Sequence, residues 1–282
     1  MVALPPRPEQ EIIDRIYAAI QNEQRRREPY LGRLGASSIG DECPRAIWLN
    51  WRAYTPDNQH DGRMLRLFET GHLQEDRIVA DLRRAGLSVW DRDPETGAQF
   101  EYSDETGHLV VKLDGVVKGV PTREDVPHVL EVKTHNKNSF SQLQKKGVQA
   151  AKPTHYAQMQ TGMWLSGMRR ALYVALCKDD EAYYVERVRL DPAAQKQLQT
   201  RVIKLVDARL RPAGISDDGS SFGCKWCDAR PQCVREQPAA QRTCRSCRNC
   251  AAGPAGSWVC DLSGSTLSRA DQLRACEHYE EL

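Results

Sequence analysis

The chain has 282 residues, of which 40% are hydrophobic and 28% are charged, a composition typical of globular proteins. Its formal net charge of +2 neither indicates nor excludes a nucleic-acid partner. No apolar run approaches the roughly 20 residues of a membrane helix, and no basic segment followed by an apolar stretch opens the chain. We therefore expect a cytoplasmic protein without a membrane partner.

Hydrophobic periodicity predicts helices and strands that alternate along the chain. Helices are predicted over residues 9–26, after Cys43-Pro44, and over 61–85, 154–167 and 192–210. Strands are predicted over 108–118 and 128–134, followed by a hairpin of 171–178 and 182–190, and 212–221 is a predicted linker. This order of elements predicts an α/β core with a mixed sheet.

One face of the longest predicted helix contains an acidic residue among apolar ones. The residues that share this face are Phe68, Gly71, Glu75, Ile78, Val79 and Leu82. We expect the face to be buried, and a buried carboxylate is costly unless it is paired or binds a metal. An arginine partner for Glu75 is the alternative to a metal.

Two predicted strands add further acids. Asp114 lies on one face of the first predicted strand, opposite the apolar residues of that strand, and Glu131 shares one face of the second strand with Lys133. Neighbouring strands could present Asp114 and Glu131 side by side, where the two carboxylates repel each other. A cation such as Mg²⁺, which prefers oxygen ligands, would relieve that repulsion, and Lys133 could orient a water molecule or neutralise a phosphate. An exposed edge strand with a cross-strand ion pair is the alternative.

These residues follow one another in an order typical of a nuclease family. Gly71 stands four residues before Glu75, Asp114 precedes a glycine, and Glu131-Val132-Lys133 gives an E-x-K motif. Gln158 follows on a predicted helix, with Gly162 where a tyrosine is expected. From Ser37 to Cys233 the chain resembles the PD-(D/E)XK nuclease superfamily, in its RecB-like branch, and residues 133–191 look like bacteriophage-encoded members.

The resemblance implies a restriction-endonuclease-like core, a mixed sheet flanked by helices. Mg²⁺ or Mn²⁺ would be bound by Glu75, Asp114, Glu131 and the Val132 carbonyl, with Lys133 positioning water. Gln158 would support the site. His72 and His108 could assist, although structural roles are commoner for such histidines.

The implied function is that of a metal-dependent DNA exonuclease acting on single strands or duplex ends in recombination, replication or repair. Such an enzyme would work in the bacterial cytoplasm, or in the host's if it is phage-encoded, with a recombinase, helicase or single-strand-binding protein as a partner. A structure-specific endonuclease or resolvase and a non-catalytic DNA-binding adaptor are the alternatives. A further alternative is a metal-based sensor of transcription, although no helix-turn-helix signature in the sequence supports it.

Eight of the ten cysteines lie in the last quarter of the chain. In a reducing compartment such clusters favour metal ligation over disulfides, whereas Cys177 is predicted to be a plain buried strand residue. Four cysteines resemble the [4Fe-4S] ligands of CRISPR-adaptation nucleases and AddB: Cys43, Cys224, Cys227 and Cys233. Zinc is the alternative metal at these four thiols.

The last forty or so residues contain a second cysteine set. Cys244, Cys247, Cys260 and Cys276 predict a small zinc-ribbon-like module, in which Cys250 or His278 could replace one ligand. The predicted organisation is a nuclease core over 1–213, an iron–sulfur segment over 214–240 that closes onto Cys43, and a C-terminal Zn²⁺-binding module over 241–282.

Overall fold

A computed structural model describes residues 8–25, 31, 33–55, 60–235 and 237–282. The helices in these ranges are α1 (Pro8–Arg25), α2 (Ala36–Ile39), α3 (Pro44–Trp51), α4 (Gly62–Arg84), α5 (Lys137–Ala151), α6 (Pro153–Ser166), α7 (Pro192–Asp207), α8 (Arg230–Val234) and α9 (Arg269–Gln272). None of them is both long and apolar enough to cross a membrane. Arg26, the predicted end of the first helix, lies outside the described residues.

The strands form one main sheet and two small ones. They are β1 (Leu34–Gly35), β2 (Ser88–Trp90), β3 (Glu101–Ser103), β4 (Leu109–Lys112), β5 (Gly115–Lys118), β6 (His128–His135), β7 (Arg170–Cys177), β8 (Tyr183–Arg189), β9 (Cys250–Ala252) and β10 (Trp258–Cys260). The main sheet has the order β2-β5-β6-β7-β8, and only its β6–β7 pair is parallel. This arrangement confirms the predicted mixed sheet and the β7–β8 hairpin.

Strand β6 is buried on both faces of the main sheet. Val129 packs towards α5 and α6, whereas Leu130 and Val132 pack towards α4. The alternation predicted for this strand is therefore confirmed. Cys177, at the end of neighbouring β7, is fully buried as predicted.

The strand predicted over 108–118 is wrong as a single element. It is split into β4, which belongs to a small sheet, and β5, which belongs to the main sheet. Gly115 lies against the preceding chain, because a Cβ at this position would approach the Trp90 carbonyl oxygen to 2.8 Å. Asp114 consequently lies between β4 and β5, where the backbone passes from the small sheet to the main sheet, rather than in the middle of a strand.

The buried face predicted for the long helix is only half right. Ile78 and Val79 in α4 are buried, but the Phe68 side chain is 43% exposed. The C-terminal half of α4 packs on β2 and β6, and α1 also contacts this helix. Sequence periodicity indicates which face is apolar, whereas the extent of the sheet decides how much of that face is covered.

A helix was not predicted between β6 and α6, where the sequence is polar and rich in lysine. Helix α5 begins there because the Asn136 side chain accepts a hydrogen bond from the Ser139 amide at 2.9 Å, as N-cap residues do. That asparagine was the local signal for a helix start.

The C-terminal residues share a hydrophobic core with the rest of the chain. Trp48, Leu49 and Trp51 of α3 belong to the same buried cluster as Cys250 and Trp258. The tail therefore does not rely on its own few apolar residues alone, because it shares this cluster with α3.

A tight turn between β3 and β4 contacts the tail. Gly107 has φ +72°, and the amide of Gly256 donates a hydrogen bond to the Thr106 carbonyl at 2.7 Å beside it. A side chain at Gly107 would collide with the Gly256 backbone. This turn consequently requires both the left-handed conformation and the absence of a Cβ.

Gly107→Ala is expected to lower the free energy of unfolding by about 2–4 kcal/mol, from the left-handed backbone and the collision together. Gly97→Ala is the matched control, because Gly97 has φ +68° but open space around it. We expect a loss of only about 1–2 kcal/mol there. Urea denaturation measures both values, and equal losses would show that the contact with the tail contributes nothing.

Candidate active site

The register of β5 and β6 places Asp114 next to Glu131. Gly115 pairs with Leu130, and the Asp114 carboxylate accepts a hydrogen bond from the Val132 amide at 2.8 Å. The structure thus brings together the two acids that the sequence predicted to be neighbours.

Lys133 lies between these acids. Its ammonium forms an ion pair with the Glu131 carboxylate and lies 3.9 Å from an Asp114 carboxylate oxygen. The Glu131 side chain is 2% exposed, and that of Lys133 is 26% exposed. Burial alone would lower the pKa of Lys133, but the charges of Glu131 and Asp114 outweigh it and raise that pKa. Lys133 is therefore charged at neutral pH.

Glu75 approaches the same site from α4. Burial and then the charge of Asp114 raise the pKa of Glu75 to about 7. Burial likewise raises the pKa of Glu131, even though Lys133 opposes this shift, and Asp114 and Glu75 add to it. The three carboxylates therefore lie within electrostatic reach of one another, and one lysine does not remove their repulsion.

This surplus of negative charge matches the chemistry of a divalent cation bound by oxygen ligands. Among the residues that the structure describes, no group of three or more His, Cys, Asp or Glu side chains, in the acidic site or among the cysteines, is arranged so that it could hold a metal ion. Metal binding by Glu75, Asp114, Glu131 and the Val132 carbonyl stays a prediction.

Helix α6 contains the fourth predicted motif. Gln158 on this helix is buried. Gly162 lies against the sheet, and a Cβ there would approach Leu113 to 3.1 Å and Val129 to 3.4 Å. A tyrosine at position 162 would therefore not fit between α6 and the sheet, which explains the departure from the motif.

The two histidines with a suggested assisting role differ in their surroundings. His72 is exposed on α4. His108 is buried against Trp51 and Trp258, and its Nε2 atom lies 2.9 Å from the Gly253 carbonyl oxygen. The contacts of His108 are those of a structural residue that joins the small sheet to the tail.

A hydrogen-bonded group of polar side chains lies next to Lys133 and was not predicted from the sequence. The Tyr173 hydroxyl lies 2.9 Å from His135 Nε2 and 2.9 Å from His155 Nδ1. Tyr173 is the strand partner of Glu131 in β7. His135 has the same strand parity as Glu131 and Lys133, a signal that could have identified it.

Both histidines that contact Tyr173 are neutral. Burial lowers the pKa of His135 to about 4, with Lys152 and Lys133 contributing. Burial also lowers the pKa of His155 to about 3, and the charge of Lys133 adds to that shift. The neutral rings accept or donate hydrogen bonds beside the carboxylates without adding charge.

The other three cysteines of the predicted iron–sulfur set lie within electrostatic reach of Cys227. Burial raises the pKa of Cys227, and the charges of Cys43, Cys224 and Cys233 raise it further. Cys43 and Cys227 line a cavity of about 500 Å³. Cys43 thus lies near a later cysteine, and the binding of an iron–sulfur cluster or of zinc by this set stays a prediction.

An arginine accompanies this set. Arg45 on α3 donates a hydrogen bond to the Cys233 sulfur at 3.6 Å and forms an ion pair with Asp217 at 3.0 Å. The bond to Cys233 is the main reason that the pKa of Arg45 is raised. The guanidinium thus places a positive charge beside the Cys233 sulfur.

The other three cysteines of the predicted tail set lie within electrostatic reach of Cys244. Burial raises the pKa of Cys244 to about 11, and the charges of Cys276, Cys247 and Cys260 add to it. Three of the four, Cys244, Cys260 and Cys276, line a cavity of about 850 Å³ together with His278. Zinc binding there stays a prediction, as does replacement of a ligand by Cys250 or His278.

The chain resembles several solved structures. The alkaline exonuclease LHK-Exo from Laribacter hongkongensis is 19% identical, with a TM-score of 0.43, over 68% of this chain and 89% of that one. The same exonuclease in complex with dAMP gives 18% identity, a TM-score of 0.40 and the same coverage. SSO0001 is 16% identical with a TM-score of 0.41, over 77% of this chain and 94% of that one.

No family model and no curated protein matches the chain. The similarities to solved structures are weak in sequence and in superposition. Function is therefore inferred from the side chains of the site.

Proposed function

We propose that this protein is a metal-dependent deoxyribonuclease that hydrolyses phosphodiester bonds at single strands or duplex ends. The observation that carries this proposal is the buried ion pair of Glu131 and Lys133 beside Asp114, with Glu75 in electrostatic reach. Burying several like charges is unfavourable. A DNA-binding adaptor has no use for such an arrangement, whereas a phosphoryl-transfer site does.

Each residue of the site has a defined task in this reaction. Glu75, Asp114, Glu131 and the Val132 carbonyl would hold Mg²⁺ or Mn²⁺, which when bound lowers the pKa of water and stabilises the departing oxygen. The Asp114 carboxylate is oriented by the Val132 amide.

Lys133 keeps its proton and presents a positive charge at the part of the site that remains accessible. That charge orients an attacking water molecule and offsets the negative charge that develops on the phosphate. Gln158 supports the site from α6.

The two cysteine sets have structural tasks in this proposal. Cys43, Cys224, Cys227 and Cys233 would hold a [4Fe-4S] cluster that fastens the ends of the nuclease core, and Arg45 would stabilise the bound thiolates. Cys244, Cys247, Cys260 and Cys276 would hold Zn²⁺ in the tail. The enzyme would work in the cytoplasm, where a recombinase, helicase or single-strand-binding protein is the expected kind of partner.

End-labelled single-stranded and double-stranded DNA, incubated with Mg²⁺, Mn²⁺ or EDTA, tests this function. We expect short products released from an end with either metal and no cleavage in EDTA. Cleavage of circular DNA would indicate an endonuclease instead. DNA binding without cleavage under any metal condition would show that the protein is an adaptor.

A further inference from the structure

One face of β6 is turned towards helix α6. The residues of β6 that share this face are Val129, Glu131, Lys133 and His135, and Val129 packs on α6. His155 on α6 stacks on His135, with ring centroids 5.7 Å apart. After burial, the charge of Lys133 lowers the pKa of His155 most. His155 therefore lies over the sheet face from which Glu131 and Lys133 project.

The hydrogen-bonded group beside Lys133 extends from Lys152 to His155. The Lys152 ammonium donates to the Ser139 hydroxyl at 2.6 Å, and that hydroxyl lies 3.1 Å from His135 Nδ1. The Tyr173 hydroxyl lies 2.9 Å from His135 Nε2 and 2.9 Å from His155 Nδ1. Each member is thus within hydrogen-bond distance of the next.

The lysine at one end fixes the direction of these hydrogen bonds. An ammonium has donors and no acceptor, so the Ser139 hydroxyl accepts from Lys152 and has its own hydrogen left for His135 Nδ1. A neutral imidazole that accepts at one nitrogen donates from the other. His135 therefore donates from Nε2 to the Tyr173 hydroxyl, and this hydroxyl donates to His155 Nδ1.

The last member of the group keeps a donor to spare. Because His155 Nδ1 accepts from Tyr173, the hydrogen of its ring resides on Nε2. Within the part of the chain that the structure describes, no group accepts a hydrogen bond from this Nε2–H. The side chain is only half-buried. A ligand that enters the site beside Lys133 can therefore reach this donor.

We propose that His155 donates a hydrogen bond from Nε2 to a phosphate oxygen of bound DNA, and that Tyr173 is the positioning residue that orients its ring. The inference rests on the nuclease function proposed above. A phosphate oxygen only accepts, and its negative charge strengthens the bond from an N–H donor. A neutral ring also avoids the repulsion that an imidazolium would meet beside Lys133.

His155→Ala removes this donor. Hydrogen bonds to charged groups are stronger than those between neutral groups, and we expect kcat/KM on end-labelled single-stranded DNA with Mg²⁺ to fall about 10–100-fold. His155→Gln carries an amide N–H on a side chain of similar reach and should recover part of that loss. A parental rate in His155→Ala would overturn the proposal.

Tyr173→Phe tests the positioning role, with Tyr184→Phe as its matched control. Without the hydroxyl the His155 ring is no longer held, and a loss of about tenfold in cleavage is expected at unchanged Mn²⁺ affinity. Tyr184 lies on neighbouring β8, where its hydroxyl donates to Glu186 at 2.6 Å instead. Its variant should cleave at the parental rate. Equal losses in the two variants would mean that packing alone matters.

DNA binding without added divalent metal tests the contact from the side of the phosphate. A methylphosphonate linkage replaces one charged phosphate oxygen with a methyl group, and it is placed in turn at each linkage near the DNA end. His155→Ala should bind phosphodiester DNA about tenfold more weakly than the parent, and this difference should vanish at the linkage that His155 contacts. Equal binding of phosphodiester DNA, or a difference that persists at every linkage, overturns the contact.

This binding assay also separates the two proposals. A parent protein that binds DNA and cleaves none overturns the nuclease function, while the methylphosphonate series still decides the contact of His155.

Nitrogen-15 NMR of histidine-labelled protein gives a readout that requires no variant. Near neutral pH, His135 and His155 should both carry their hydrogen on Nε2, and the His155 Nε2 signal should shift when single-stranded DNA is added. A hydrogen on His155 Nδ1 would overturn the proposed direction of the hydrogen bonds. An unchanged Nε2 signal at saturating DNA would overturn the contact.

Discussion

Lys133→Ala is expected to reduce DNA cleavage by roughly 10³-fold or more, while secondary structure and DNA binding persist. The ammonium is the positive group that contacts both Glu131 and Asp114. Its removal leaves the water and phosphate without an orienting charge and the carboxylates in stronger repulsion. Initial rates on end-labelled DNA with Mg²⁺ measure the effect, and circular dichroism reports on the fold.

Lys112→Ala provides the control for a lost lysine. Lys112 is an exposed residue of β4, and its ammonium pairs with Glu101 at 3.3 Å. Its variant should cleave at nearly the parental rate. If Lys133→Ala also does so, Lys133 has no part in the reaction.

The carboxylates provide a second arm of this experiment. Asp114→Asn and Glu131→Gln keep the shape of the side chain and remove its charge, so each should abolish cleavage and weaken Mg²⁺ binding.

The double variant Glu131→Gln/Lys133→Met removes the whole buried pair. It should unfold at a higher denaturant concentration than Lys133→Met alone, because a single charge left in a buried pair is destabilising.

Cys43→Ser is expected to lower the iron content of anaerobically purified protein to background, as Cys227→Ser should. The two residues are distant in sequence, yet the charge of Cys43 contributes to the raised pKa of Cys227. A cluster that requires thiolates from both ends of the chain cannot survive the loss of either. Iron analysis and the visible absorption expected of an iron–sulfur cluster measure the result.

Cys177→Ala is the matched control for these cysteine variants. Cys177 is fully buried at the end of β7, within the main sheet. Its replacement should leave iron content unchanged. Iron loss in only one of the Cys43 and Cys227 variants would show that the two cysteines do not bind the same cluster. Zinc in place of iron would favour the alternative metal.

Local periodicity accounts for the part of the site that could be predicted. Alternation along β6 places Glu131 and Lys133 on one face, and the acid before Gly115 marks Asp114. These features depend on residues two or three apart. A single sequence is therefore sufficient to indicate them.

Tertiary structure decided what depends on distant partners. Three features depend on which elements pack together. They are the position of Asp114 between two sheets, the exposure of Phe68, and the contact of Tyr173 with His135 and His155. No local pattern contains that information.

The same distinction applies to the cysteines and arginines. The spacing of the late cysteines predicts thiol ligands, because short loops bring nearby cysteines together, and the resemblance adds Cys43; metal binding stays a prediction. The burial of Arg52 against the Cys247 and Arg245 carbonyls, almost two hundred residues later, follows only from the packing of α3 on the tail. The sequence by itself determined which side chains could perform the chemistry. Tertiary structure alone decided which charges are buried together, because burial is a property of the assembled core.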